Sequence, residues 1–384
     1  MVITVVSDVL GAENNGTTIA AMNLIRYLRS RGHTVRVLCA DQYRRGEKDW
    51  YIVPNLNLGA LLNAYVKKAG VTLAKPDKAV ITRAIDGADV VHIITPFALG
   101  ITAAHMAKKR GLPVTAGFHA QAENMTAYIG MHQFRFANWL GYQLLYRWFF
   151  RHVDAIHYPT QFIRELFERE VRHATPGHVI SNGVSDSVQR KQTPRPKEWG
   201  DHIVILTTGR YSREKSQDTL LRAAAVSRYR DELLLVLAGQ GTKERKLKRL
   251  AQRLPNPPIM KFFGRDEIID VLNACDLYVH PAETELEGIA CLEAIACGKL
   301  TIVSDSPRSA TKAFALDESC VFHNRDPKDL ARCIDAWIDT LKNDPEKLHS
   351  YENRYTESAV IYRQSECMTE MEKMLTEASA CVKA

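Results

Sequence analysis

The sequence predicts an α/β protein made of two doubly wound parallel-sheet domains facing a central cleft. Three observations predict it. Short apolar, β-branched runs alternate with helix-length segments in both halves of the chain, the pattern of parallel sheets covered on both faces. A polar stretch at residues 185–201, carrying Pro194, Pro196 and Gly200, separates the two series. The length of 384 residues suits two domains.

The elements follow in order. Residues 2–6 read as a buried strand. A helix covers roughly 18–31 and stops at Gly32. Strands follow at 35–39, 89–94, 114–118 and 155–158. The second series has strands at 203–207, 233–238, 260–263, 277–280, 301–304 and 320–322, with helices between them. The expected division is a Rossmann-like domain over 1–184, a linker over 185–201, a second Rossmann-like domain over 202–350 and a charged helical segment over 351–384. Sheets of this kind bind ligands at the carboxyl ends of their strands.

Composition narrows the class. Hydrophobic residues make up 46% and charged residues 25%, ordinary for a globular protein. No apolar run reaches the length of about 18–20 residues that spans a bilayer. The N-terminus has no basic region and no cleavage site, so it reads as a strand and not as a signal peptide. Eight scattered cysteines without a Cys-x-x-Cys pair read as small core residues of a reducing cytosol, not as a zinc site. The net charge of +7 suits acidic substrates, an anionic membrane surface or nucleic acid, and no nucleic-acid-binding motif accompanies it.

The densest chemistry lies after the strand at 277–280. Glu285 stands in a loop, Gly288 opens a helix, and Glu293 lies about a turn and a half into it. The amides of Gly288, Ile289 and Ala290, at the positive end of the helix dipole, form an anion site. A sugar nucleotide fits: diphosphate on the amides, sugar hydroxyls on Glu285, ribose hydroxyls on Glu293. This spacing resembles the E-x7-E motif of the retaining glycosyltransferases of GT-B fold, family 4, although Glu287 stands where that family usually has Phe.

The other loops extend the resemblance, which covers most of the chain and is strongest over 208–309. Gly209-Arg210 through Lys215 resembles the family's G-R-x4-K loop, two cations suited to a leaving diphosphate. Gly239-Gln240-Gly241 resembles its G-x-G turn, a place where a ligand or another backbone approaches closely. Phe263-Gly264 matches the strand end whose backbone contacts the nucleobase in the family. Asn15-Gly16 stands at the family's glycine-rich loop beside the leaving phosphate and the acceptor. His119 resembles a histidine that contacts the transferred sugar in many retaining GT-B enzymes, and Phe118-His119-Ala120-Gln121-Ala122-Glu123-Asn124 resembles the Phe-His-x-Gln-x-Glu-Asn segment of lipid-directed members. Asn182-Gly183-Val184 resembles the exit from the first domain. The resemblance also implies that the last helix crosses back to the N-terminal domain.

Residues 131–152 are rich in aromatics, Trp139 and Trp148 among them, interleaved with Arg135, Arg147 and Arg151. They suit either a membrane interface or a core helix. Lys67-Lys68 and other basic clusters in this half suit anionic headgroups or solvent.

The expected activity is transfer of a hexose, glucose or galactose, from a UDP-sugar to a lipid hydroxyl such as that of diacylglycerol or ceramide. The anomeric configuration is retained, with neither metal nor cofactor, at the inner face of the cell membrane. His119, Arg210, Lys215 and Glu285 are the expected catalytic residues. The alternatives are a capsule, cell-wall or lipopolysaccharide glycosyltransferase with a glycan or polyprenyl-linked acceptor, and a non-catalytic sugar-nucleotide-binding subunit.

Overall fold

Every pairing between the described strands is parallel, and each sheet winds outward in two directions from its first strand. A computed structural model describes residues 1–8, 10, 16–57, 73–119, 121–122 and 134–381. It divides into two units, Met1–Asn182 with Cys367–Ala384, and Gly183–Glu366.

The first unit contains β1 (Val2–Val6), α1 (Gly16–Ser30), β2 (Thr34–Cys39), β3 (Trp50–Ile52), α2 (Lys78–Ile85), β4 (Val90–Ile93), α3 (Ala98–Lys108), β5 (Val114–Gly117), α4 (Arg135–Trp148), β6 (Ala155–Tyr158), α5 (Gln161–Val171) and β7 (Gly177–Val179). Its sheet runs β3-β2-β1-β4-β5-β6-β7. The second unit contains β8 (Ile203–Thr208), α6 (Gln217–Val226), β9 (Leu233–Ala238), α7 (Glu244–Ala251), β10 (Ile259–Lys261), α8 (Arg265–Ala274), β11 (Leu277–His280), α9 (Ile289–Ala296), β12 (Thr301–Ser304), β13 (Val321–Phe322), α10 (Pro327–Asn343) and α11 (Pro345–Ser358). Its sheet runs β10-β9-β8-β11-β12-β13. A last helix, α12 (Gln364–Cys381), returns the chain to the first unit.

The central strands are continuous apolar runs because helices cover both faces. All six residues of β8 and all six of β9 are buried. A carboxylate at the start of a later strand sets the register in each unit. Asp89 accepts the Val2 amide at 2.8 Å, which ties β4 to β1, and Asp276 accepts the Val204 amide at 2.7 Å, which ties β11 to β8. Helix starts are chemically marked. Asp326 accepts the amides of Lys328 and Asp329 with Pro327 in the first turn, and Asp344 accepts the Lys347 amide with Pro345 in the first turn of α11.

Residues 185–201 are packed on the second unit. Val188 and Trp199, 2% exposed, lie in its core, and Arg195 and Lys191 pair with Asp276 and Asp270. The C-terminal segment divides. Tyr355 of α11 is buried in the second unit and donates its hydroxyl to the Thr301 carbonyl at 3.1 Å. From Cys367 onward α12 buries Met368, Met371, Met374 and Leu375 against Ile3, Ile25, Leu28 and Val37. Seven of the eight cysteines are buried free thiols, and Cys381 is exposed.

Candidate active site

β8 and β11 are neighbours in the second sheet, but the chain leaves them in opposite directions, β8 toward β9 and β11 toward β12. Their carboxyl-end loops therefore part, and a crevice opens where doubly wound sheets take their ligands. One loop, 209–216, brings Lys215. The other, 281–288, brings Glu285. The two form an ion pair, with side chains 19% and 12% exposed.

Glu285 is fixed from behind and through its backbone. Its amide donates to the Arg308 carbonyl at 3.2 Å, and its carbonyl accepts the Ala310 amide at 3.0 Å. His280 Nε2 lies 3.0 Å from the same Oε1 that meets Lys215. His280 Nδ1 lies 3.2 Å from the Tyr278 hydroxyl, which is 2.7 Å from the Thr208 hydroxyl. The carboxylate can only accept, so His280 Nε2 donates to it. The Tyr278 and Thr208 hydroxyls continue the hydrogen-bonded chain behind His280. Burial holds Tyr278 protonated, well above its usual range. Burial also raises Glu285, but the Lys215 charge and the His280 hydrogen bond outweigh it and bring the carboxyl down to about 2. The site thus holds a fixed, ionised acceptor beside an ammonium.

Gly288 caps α9 in the left-handed region, at φ 89°. A side chain there would put Cβ 2.6 Å from Thr311 Cγ2, so both backbone and space demand glycine. Among the described residues the Ile289 and Ala290 amides donate to nothing, as expected at a helix start. Five residues further, Glu293 pairs with Arg265 at 2.9 Å. Burial raises its carboxyl despite that guanidinium. Arg210 differs from Lys215. It is 68% exposed, reaches Glu214 only at 3.6 Å, and is free to swing onto an anion.

The glycines at the strand ends answer a question the sequence leaves open. A Cβ on Gly239 would lie 2.0 Å from the Gly209 carbonyl oxygen, and one on Gly241 2.6 Å from that of Tyr211. What approaches the G-x-G turn is the backbone of the loop carrying Arg210 and Lys215. The Tyr211 amide donates to the Gln240 carbonyl at 2.9 Å and locks the two loops together. Gly209 itself, at φ 140°, lies against the Lys215 stem. Phe263 is buried under Lys261, while Gly264 caps α8 in open space.

In the first unit, His119 follows β5 and lies over Gly117, with no room there for a Cβ. Its ring centroid is 5.4 Å from that of His157. Burial, helped by His157 and His92, pushes its imidazole well below the usual range, so it is neutral. Gly16 is the first residue of α1. Asn15, Lys67 and Lys68 lie outside the described residues. The aromatic segment is neither core nor free. On α4, Asn138 and Tyr142 are buried, while Phe136, Trp139 and Trp148 are 72%, 39% and 61% exposed.

Sequence reasoning missed several groups. Thr208, Tyr278 and His280 look like ordinary strand residues, and only the β8–β11 pairing joins them to Glu285. Glu283, 4% exposed, pairs with both Arg308 and Arg325 and fixes the loop two residues before Glu285. A carboxylate that close to the Glu285 loop was the available signal. In the first unit Asp8, just after β1, accepts the Ala74 amide at 2.9 Å, and burial pushes its carboxyl up to about 6.

A family model described as Glycosyltransferase Family 4 matches residues 14–188, and one described as Glycosyl transferases group 1 matches residues 188–355. An alpha-monoglucosyldiacylglycerol synthase from Streptococcus pneumoniae is 24% identical over 320 residues, 78% of this chain and 70% of that one. A GDP-mannose-dependent alpha-mannosyltransferase from Mycolicibacterium smegmatis is 24% identical over 319 residues, 76% of each chain. Among solved structures, Anabaena HepE in complex with UDP aligns over 98% of this chain and 100% of that one, with 17% identity and a TM-score of 0.74, a likeness of fold.

Proposed function

We propose, for a chain that belongs to the family 4 glycosyltransferases of GT-B fold, that it moves a hexose from a UDP-sugar, glucose or galactose, to a lipid hydroxyl of the diacylglycerol or ceramide kind. The product is an α-glycolipid. The observation that carries this reading is the Lys215–Glu285–His280 cluster at the β8–β11 crevice, with the start of α9 beside it. An ionised carboxylate that only accepts hydrogen bonds suits sugar hydroxyls. An ammonium, the exposed Arg210 guanidinium and helix-start amides suit a leaving diphosphate.

The assignment of roles follows from that chemistry. Arg210, Lys215 and the Ile289 and Ala290 amides hold the diphosphate and stabilise the charge that builds as the glycosidic bond breaks. No metal ion is needed for that step. Glu285 holds sugar hydroxyls, and Glu293 meets the ribose through the oxygen not taken by Arg265. The backbone at Phe263-Gly264 meets the base. Neutral His119 positions the transferred sugar by hydrogen bonding. The acceptor hydroxyl enters on the face the diphosphate leaves, whose oxygen takes the proton, so the configuration is retained.

Two facts support a lipid acceptor. The Streptococcus pneumoniae relative is by its name a glucosyldiacylglycerol synthase. The exposed aromatics of α4, flanked by exposed Arg135 and Arg147, suit the interface of an anionic membrane. No described helix is long and apolar enough to cross a membrane. The reading places the contact of α4 at the cytoplasmic face of the membrane. The test is turnover of UDP- and GDP-sugars against diacylglycerol, ceramide and soluble glycans. Transfer from UDP-glucose or UDP-galactose to a lipid supports the reading. Transfer only from GDP-mannose, or only to soluble glycans, refutes it.

A further inference from the structure

We propose that the second unit carries a separate phosphate-binding site bordered by the 209–216 loop. It is a cavity of about 440 Å³ lined by Arg213, Arg222, Lys243, Lys246 and Arg325. The inference goes beyond the transfer reaction and does not depend on it.

The charge balance of the cavity is the first argument. Five cations line it, and Asp218 is the one carboxylate among its lining residues. Asp218 is already engaged, by Lys246 at 2.7 Å and Arg222 at 3.5 Å. Arg325 is held by Glu283. Arg213 and Lys243 are exposed, and neither meets a carboxylate among the described residues. Like charges gathered in one concave space repel unless an anion joins them.

The shape and the remaining groups favour a phosphate. The cavity is large enough for a phosphorylated small molecule. Helix α6 starts in its wall, and Ser212, Ser216 and Thr219 add hydroxyls. Guanidinium forks, ammonium groups and helix-start amides together match a tetrahedral group with several charged oxygens better than a flat carboxylate. Gln217, 2% exposed, donates its Nε2 to the Arg210 carbonyl at 2.9 Å, while its Oε1 is buried without a donor. Of the five cations, Arg325 touches the Glu285 loop through Glu283, and the other four have no assigned role in the crevice. A free phosphate ester and a phosphorylated lipid headgroup share this chemistry.

Calorimetric titration of inorganic phosphate into the full-length protein, saturated with UDP to fill the donor crevice, tests the site. Phosphate should bind with UDP present. Arg213→Glu combined with Lys243→Glu should weaken phosphate by at least about tenfold and leave UDP affinity unchanged. Arg210→Ala should weaken UDP and leave phosphate binding in place. Both reversed residues are exposed, and Arg213→Gln with Lys243→Gln repeats the test with less perturbation. Phosphate binding that UDP abolishes, or that both double variants retain in full, overturns the proposal, as does no phosphate binding. Should UDP fail to bind the wild-type protein, the transfer reading fails, and the phosphate titration of the double variants still decides this site. A second arm uses phosphatidylcholine vesicles with and without phosphatidic acid. Recruitment by phosphatidic acid that the double variant loses and inorganic phosphate competes away identifies a lipid source. Phosphate binding without recruitment identifies a soluble one.

Discussion

Replacing Lys215 with Met separates the two tasks this side chain performs, because Met keeps the stem and removes the charge. The stem packs on Gly209, where a Cβ would meet Lys215 Cδ at 3.6 Å and Cε at 3.7 Å. The charge, together with the His280 hydrogen bond, outweighs burial and holds Glu285, a carboxyl brought to about 2 from the ordinary 4.5. That difference corresponds to about 3 kcal/mol of stability at neutral pH, shared between the two partners. Breaking one side of a buried ion pair costs about 3–5 kcal/mol by a separate line of reasoning. Lys215→Met should therefore destabilise the second unit by about 3 kcal/mol at pH 7. Because the folded carboxyl titrates below the unfolded one, this stabilisation is present above the ordinary 4.5 and is lost as pH falls toward 2. The assay is urea unfolding followed by the fluorescence of Trp199 and Trp337, both in the second unit. Adding Glu285→Gln to Lys215→Met should recover most of the stability, since no buried charge is then left unpaired, but should not recover transfer. A Lys215→Met variant as stable as wild type, or a double variant less stable than the single, would refute the coupling.

Three further outcomes are expected. Arg210→Ala, at a side chain 68% exposed, should leave unfolding unchanged and lower kcat/KM by about 2–4 kcal/mol, read from initial rates. Transfer should persist in EDTA, and abolition by chelator with recovery on Mg²⁺ or Mn²⁺ would overturn the assignment of the diphosphate charge to side chains and amides. Vesicles with anionic lipid should sediment the protein at low salt, with Trp148→Ala and Phe136→Ser weakening capture. Arg135→Glu with Arg147→Glu should cost about 1 kcal/mol for each charge removed, and retention in the supernatant at every lipid composition would exclude α4 as the contact.

The parts legible in the sequence were those set by local rules. The strand, loop and helix around Glu285, Gly288 and Glu293 announce themselves through β-branched residues, a glycine and an apolar helix ended by Gly298. The alternation over each half gives two parallel sheets. What stayed hidden depends on which strands become neighbours. Thr208 and Tyr278 lie 70 residues apart, and Glu283 and Arg325 lie 42 apart. No local pattern joins them. The G-x-G turn signals a close approach, but the identity of the approaching backbone requires the β8–β9 pairing. Residues 185–201 read as a linker because their prolines and charges dominate the composition, yet Trp199 anchors them in a core. β3 and β7, three residues each, are too short for periodicity to mark, and the equally short β10 was legible only through the Phe262-Phe263 run beside it.

The anomeric configuration of the product tests the central claim most directly. Incubating the protein with UDP-glucose and diacylglycerol vesicles, then extracting the lipid for proton NMR, reads both acceptor and stereochemistry at once. The account predicts a glucosyl lipid with an α-anomeric proton, lost in Lys215→Met and in Arg210→Ala. A β-linked product, or UDP-glucose consumed only to glycosylate a soluble glycan, would contradict it.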